Sequence, residues 1–106
     1  MTALSARADV PTPTPDRYAK QLVSHLGRRL TWTTEGGTST AELAGGTGTV
    51  VVGDGVLTLL AAAPDAAGLG RIQHVLGSHL ERFGQRNELT VRWTGDAGTP
   101  PEDHQR

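Results

Sequence analysis

The sequence contains no cysteine, which excludes disulfides and thiolate metal sites. Aromatic residues are scarce, with two tryptophans, one tyrosine and one phenylalanine. Lys20 is the one lysine beside nine arginines, and the formal net charge is -1. That balance argues against a general polyanion binder but leaves room for a local basic patch. No apolar run approaches the ~20 residues of a membrane helix, so no membrane association is predicted.

The length of 106 residues predicts a single domain that can bury a core without crosslinks. Residues 1–7 lack the apolar segment of a secretory signal, so the expectation is a soluble cytoplasmic protein. From residue 95 onward the chain has no apolar side chain larger than those of Ala97, Pro100 and Pro101 to anchor it. We therefore predict one domain over residues 5–94 and a disordered tail over residues 95–106.

Residues 17–29 and 71–83 form an internal repeat at a constant offset of 54. Six of the thirteen aligned pairs are identical: Arg17/Arg71, Leu22/Leu76, Ser24/Ser78, His25/His79, Leu26/Leu80 and Arg28/Arg82. Each copy is followed by a short segment containing Thr and Trp. A helix followed by a strand, used twice, is the simplest interpretation.

Hydrophobic periodicity predicts two helices and six strands. The helices are expected over residues 14–27 and 64–84, with Thr14 and Asp65 as N-caps and Gly27 as a C-cap. The strands are expected over residues 5–10, 30–34, 38–44, 47–52, 56–63 and 89–94. In the last strand, Leu89, Val91 and Trp93 are predicted to face inward.

The element order is therefore β-α-β-β-β-β-α-β, an α+β fold. Each helix carries one apolar stripe, so both are predicted to cover the same face of a mostly antiparallel sheet, as a two-layer sandwich. The α-β units are predicted to be related by pseudo-twofold symmetry. The other face of the sheet carries polar residues and should be solvated or form an interface.

Two motifs resemble the bacterial domain-of-unknown-function family 2218 (DUF2218). The first is Arg17-Tyr18-x-Lys20-Gln21-Leu22-x-x-His25, and the second is Ser78-His79-Leu80-Glu81-Arg82-Phe83. The later segment Leu89-Thr90-Val91-x-Trp93 is similar too. The resemblance implies a small cytosolic bacterial protein with no established activity. It also implies a link to iron or siderophore metabolism, with a siderophore-interacting flavoprotein as a partner.

His25 and His79 hold equivalent places in the repeat, so neighbouring helices could bring the two imidazoles together. Neutral imidazole is a good metal ligand, and Glu81 or Tyr18 could complete such a shell. No third ligand has metal spacing, however, because H-x-x-x-H and H-x-x-E-H are absent. We therefore predict no metal site, and expect each ring to be satisfied by a backbone carbonyl or a neighbouring side chain.

Five arginines fall near the helix C-termini and the last strand: Arg28, Arg29, Arg82, Arg86 and Arg92. They could hold an anion such as a carboxylate or a phosphate. The simpler interpretation is that they complement the helix dipoles, with Glu81 and Glu88 neutralising part of the charge. Lys20 and Glu81 are interpreted in the same way, as solvated ion pairs. The candidate ligand-binding residues are His25, His79, Arg28, Arg82, Tyr18, Lys20 and Glu81.

Catalysis has little support in the sequence. There is no G-x-S-x-G motif, and serines adjacent to His25 and His79 point to other faces of their helices.

We predict a non-catalytic accessory or binding domain that needs no cofactor, with its oligomeric state open and a homodimer among the options. The alternative is a nucleic-acid-binding module that uses the polar sheet face and the arginines. Trp32 and Trp93 are expected in the core rather than stacked on bases.

Overall fold

The structure, a computed structural model, describes residues 4–43, 45–84 and 91–95. Its elements follow the predicted order: β1 (Leu4–Pro11), α1 (Pro15–Leu26), β2 (Trp32–Glu35), β3 (Thr38–Leu43), β4 (Gly46–Val52), β5 (Val56–Ala63), α2 (Ala66–Phe83) and β6 (Thr94–Gly95). The α+β class is confirmed. The predicted disordered tail lies outside the described residues, apart from Gly95.

The six strands form one sheet in the order β2-β3-β4-β5-β1-β6, and every neighbouring pair is antiparallel. The connection through α1 joins β1 to β2 across three intervening strands, whereas α2 joins β5 to β6 across one. The pseudo-twofold symmetry stays a prediction, since the two connections differ in span.

Both helices lie on one face of this sheet, because alternate strand residues present their apolar side chains to the same side. In β1, Ala6, Ala8 and Val10 are buried while the residues between them are exposed. The four leucine and isoleucine residues of the α2 stripe are fully buried: Leu69, Ile72, Leu76 and Leu80. Helix α1 adds Tyr18, Ala19, Leu22 and Leu26 to the same core. Neither helix of the described chain is long and apolar enough to cross a bilayer.

The starts of the two helices differ in a way that the sequence pattern does not reveal. Asp65 caps α2 as predicted, since its Oδ1 accepts a hydrogen bond of 2.7 Å from the Gly68 N–H. Thr14 occupies the N-cap position of α1, but its side chain makes no capping hydrogen bond. Instead the Thr14 N–H donates to Thr12 Oγ1 at 3.1 Å. Thr12 therefore holds the chain as it enters α1.

Two strand boundaries were wrong in the prediction. The second strand begins at Trp32 rather than at residue 30, because the Leu30 N–H donates to the Leu26 carbonyl and is held in the turn after α1. The last strand begins at Thr94. Val91 lies before this strand. Its N–H donates to the side-chain oxygen Oε2 of Glu81 at 2.9 Å instead of to the backbone of a neighbouring strand.

Val91 and Trp93 nevertheless pack against the core, half-buried, as does Trp32. Leu89 lies outside the described residues. Gly77 makes room for the Trp93 ring, because a Cβ added there would lie 3.1 Å from Trp93 Nε1. The core positions expected for Trp32 and Trp93 agree with this packing.

The outer face of the sheet is polar and carries balanced charge. Arg7 and Asp9 form an ion pair there, with 3.1 Å between Nε and Oδ1. Thr58 donates to the same Asp9 oxygen at 2.7 Å. This hydrogen bond, together with Arg7, holds the pKa of Asp9 below its ordinary value. The strand register places Glu35 and Glu42 on the same face, so it has no excess of positive charge.

Candidate functional site

A tight turn after α1 places two arginines beside the helix end. The turn is closed by hydrogen bonds from the N–H groups of Arg29 and Leu30 to the carbonyl of Leu26. It returns Leu30 to the core and leaves Arg28 and Arg29 exposed. Gly27 is the C-cap of α1, as predicted, and its backbone is right-handed, with φ -63°. The positive charges complement the negative end of the α1 dipole.

Helix α2 presents Arg71, Val75 and His79 along one face. These residues are four apart in sequence, which places them one above another on a helix. Arg71 is exposed, while Val75 and His79 are half-buried. This face of α2 looks across a cleft toward the end of α1.

The cleft between the two helices has a volume of about 630 Å³. Its cationic and imidazole side chains are Arg28, Arg29, Arg71, His25 and His79. Its apolar side chains are Leu26, Leu30, Leu43 and Val75. None of the described residues that line it is acidic. We call this space the arginine cleft.

The repeat-related histidines meet at one side of the arginine cleft. The ring centroids of His25 and His79 lie 5.1 Å apart, with the planes tilted by 47°. The Phe83 ring also lies against His25, edge to face, with 5.4 Å between the ring centroids. His79 and Phe83 are one helical turn apart on α2, so His25 of α1 lies against both of them.

His79 is oriented by a bond to its own helix. Its Nδ1 lies 2.7 Å from the Val75 carbonyl oxygen. Because a carbonyl oxygen can only accept, Nδ1 carries the proton in this arrangement. This backbone partner is the kind expected for a structural histidine. In the neutral ring, the Nε2 atom then remains as an acceptor.

The described residues contain no group of three or more His, Asp or Glu side chains that could hold a metal. Three guanidinium groups in the same cleft would also repel a cation. The geometry therefore favours an anion over a metal in the arginine cleft.

The other candidate residues lie away from this cleft. Lys20 forms an exposed ion pair with Asp16, at 3.4 Å. Tyr18 is buried in the core. Arg82 and Arg92 are exposed and do not line the arginine cleft, and Arg86 and Glu88 lie outside the described residues. Of the predicted ligand-binding set, the structure brings together His25, His79 and Arg28.

Glu81 lies along a different groove of α2, lined in part by Gln73, Gly77 and Trp93. Its carboxylate accepts the Val91 N–H and so holds the segment before β6. Ser78 donates its hydroxyl to the His74 carbonyl. Neither side chain is placed to act on a ligand beside His79.

Sequence reasoning missed Arg71 and the apolar lining of the arginine cleft. The repeat included Arg71, but no binding role was predicted for it. Its spacing of four residues from Val75 and eight from His79 places all three on one face of a helix and could have indicated the site. Leu30 and Leu43 could not be found in this way, because they come from a turn and from the end of β3, and only the fold brings them to α2.

Comparison with known proteins supports the fold. The model of the DUF2218 family, described as an uncharacterized protein conserved in bacteria, matches residues 7–94. The NMR structure of PA4090 from Pseudomonas aeruginosa has a TM-score of 0.73 and 19% sequence identity to this chain. The alignment covers 86% of this chain and 95% of that one. At this identity the likeness shows a shared fold. No curated protein matches this chain.

Proposed function

This chain belongs to the DUF2218 family of uncharacterized bacterial proteins, and we propose that it is a non-catalytic module that binds an anion in the arginine cleft. The observation that carries the proposal is the lining of that cleft. Three arginines and two histidines meet there, and none of the described lining residues is acidic. Two elements distant in sequence supply these groups, Arg28 and Arg29 from one and Arg71 from the other.

Guanidinium groups suit this role because their planar forks bind carboxylates and phosphates in a bidentate manner. The net charge of -1 for the whole chain makes the local excess of positive charge informative. By contrast, Arg7 on the outer face of the sheet forms an ion pair with Asp9. The described lining of the arginine cleft contains no carboxylate, and Glu42 lines a neighbouring groove that Arg29 also borders.

The proposal of a non-catalytic role rests on the groups that surround the histidines. An imidazole general base needs a nucleophile within hydrogen-bond reach. Ser78 donates to a backbone carbonyl, and Glu81 is bonded to Val91. The described lining of the arginine cleft contains no hydroxyl, thiol or carboxylate.

Replacing Arg71 should weaken anion binding selectively. We expect Arg71→Ala to reduce the affinity for citrate or inorganic phosphate roughly 10- to 100-fold, because each hydrogen bond to a charged group contributes about 1.5–3 kcal/mol. Isothermal titration calorimetry at low salt measures this effect, and higher salt should weaken binding by the wild type.

Arg17→Ala is the matched control, since Arg17 is the repeat counterpart of Arg71 and does not line the cleft. It should bind like the wild type. Equal losses in both variants would assign the effect to net charge, and no binding of either anion by the wild type would refute the proposal.

The nucleic-acid alternative stays a prediction, and the geometry gives it little support. It requires the polar sheet face and the arginines to form one surface. Arg28 and Arg71 lie instead at the helical layer. Arg29 also borders a groove lined by Thr33, Thr40 and Glu42 of the outer face, which otherwise carries Arg7 with Asp9 and Glu35. A gel shift at low salt with single- and double-stranded nucleic acid tests the alternative.

The cytoplasmic location, the link to iron or siderophore metabolism, and a siderophore-interacting flavoprotein as partner also stay proposals. The link to iron or siderophore metabolism and the flavoprotein partner are supported by the resemblance to the family alone. They require expression that responds to iron starvation and a flavoprotein gene nearby.

A further inference from the structure

The arginine cleft is apolar as well as cationic. Leu30, Leu43 and Val75 line it and are half-buried, so each leaves part of its apolar surface in the cleft. They pack against the core on their other sides, which makes this surface part of a fixed wall. A small inorganic anion would contact the arginines and leave that wall in water.

The same lining has few side chains that accept a hydrogen bond from a hydroxyl group, since among its described members only the imidazole nitrogens of His25 and His79 can do so. Its described members are arginine, histidine, leucine and valine, with no serine, threonine, asparagine, glutamine or acid. Sugar hydroxyls of a nucleotide or a sugar phosphate would lose water there and find no carboxylate or amide in exchange. A ligand of that class is therefore disfavoured.

We infer that the ligand of the arginine cleft is an amphipathic carboxylate, with an anionic head and an unbranched or compact apolar body. This inference rests on the proposed function and names its ligand class. The head meets the guanidinium groups of Arg28, Arg29 and Arg71, and the body covers Leu30, Leu43 and Val75. The volume of about 630 Å³ lies in the range typical of small-molecule sites.

A series of linear carboxylates tests the inference on the intact chain. Butanoate, hexanoate, octanoate and decanoate, each below its micelle concentration, are titrated into the wild type, with inorganic phosphate, citrate and 1-octanol as separate arms. Each added methylene that contacts the wall should tighten binding by up to about fourfold, which corresponds to ~0.8 kcal/mol per buried methylene. Octanoate should bind more tightly than 1-octanol, because the alcohol has no charge for the arginines.

Val75→Thr is the diagnostic variant, since it replaces a methyl group of the wall by a hydroxyl without changing the shape of the side chain. We expect it to weaken octanoate binding several-fold and citrate binding by less, because citrate has no apolar chain to cover the wall, and circular dichroism checks that the variant is folded. Arg71→Ala should weaken octanoate and citrate alike.

If the affinity for the linear carboxylates does not rise with chain length while the wild type binds citrate, the amphipathic ligand is refuted and the anion site is retained. Equal binding of 1-octanol and octanoate, unaffected by Arg71→Ala, would overturn the anion site itself. If no member of any arm binds, both proposals fail.

Discussion

Leu76→Ala should lower the free energy of unfolding by about 2–5 kcal/mol, the range observed when a fully buried leucine is truncated. Leu76 is 0% exposed and lies where α2 meets β4, since a Cβ added to Gly48 would be 3.3 Å from its Cδ1. Because α2 packs closely against β4 at Gly48, the neighbouring residues cannot move in to fill the cavity that the truncation leaves. Urea unfolding followed by circular dichroism measures the change.

Leu60→Ala provides the matched control for this substitution. Leu60 lies on the outer face of β5 and is half-buried, so the same truncation should cost markedly less there. Equal losses at the two positions would contradict the assignment of α2 to the inner face of the sheet.

Gly46→Ala should be nearly as damaging, with a loss of about 3 kcal/mol, the upper end of the usual cost of overpacking. A Cβ at Gly46 would clash with the carbonyl oxygen of Ala62 and would lie 2.9 Å from the Cα of Ala63. Both are backbone atoms of β5, so a change of side-chain rotamer cannot relieve the clash. The two strands would have to move apart. A glycine inside a strand often marks such a close approach.

Gly70→Ala is the control, because the same methyl group added there meets no atom within 4 Å. Gly70 lies inside α2, where alanine is the better helix former, so the variant should gain about 0.5–1 kcal/mol. Thermal unfolding measures both effects: the melting temperature should fall in Gly46→Ala and rise in Gly70→Ala. A stable Gly46→Ala protein would mean that β4 and β5 are not in this register.

The layers of the fold could be predicted because each depends on a repeating pattern. The stripe of Leu69, Ile72, Leu76 and Leu80 has helical period, and Ala6, Ala8 and Val10 alternate as a half-buried strand does. All seven are buried. The ends of the strands could not be predicted, because they depend on single hydrogen bonds such as those of Leu30 and Val91.

The candidate site shows the same division. The repeat predicted that His25 and His79 could meet, and the rings lie 5.1 Å apart. The two histidines hold equivalent places in the repeat, yet His25 is exposed and His79 is half-buried. The Val75 carbonyl accepts a hydrogen bond from the His79 ring. The choice between Arg71 and Arg82 as the cationic neighbour depends on where the helices cross. That crossing is set by packing, which the pattern of residues does not contain.

The central claim is that ligands enter the space between the end of α1 and the Arg71–Val75–His79 face of α2. Backbone amide shifts of the isotopically labelled wild type, recorded by NMR during a titration with octanoate, test this claim most directly. We predict that the largest changes fall on residues 25–30, Leu43 and residues 71–79, with the outer strand residues Arg7, Thr47 and Leu60 unmoved. Changes concentrated on those outer strand residues, or beside Glu81 and Trp93, would contradict the account.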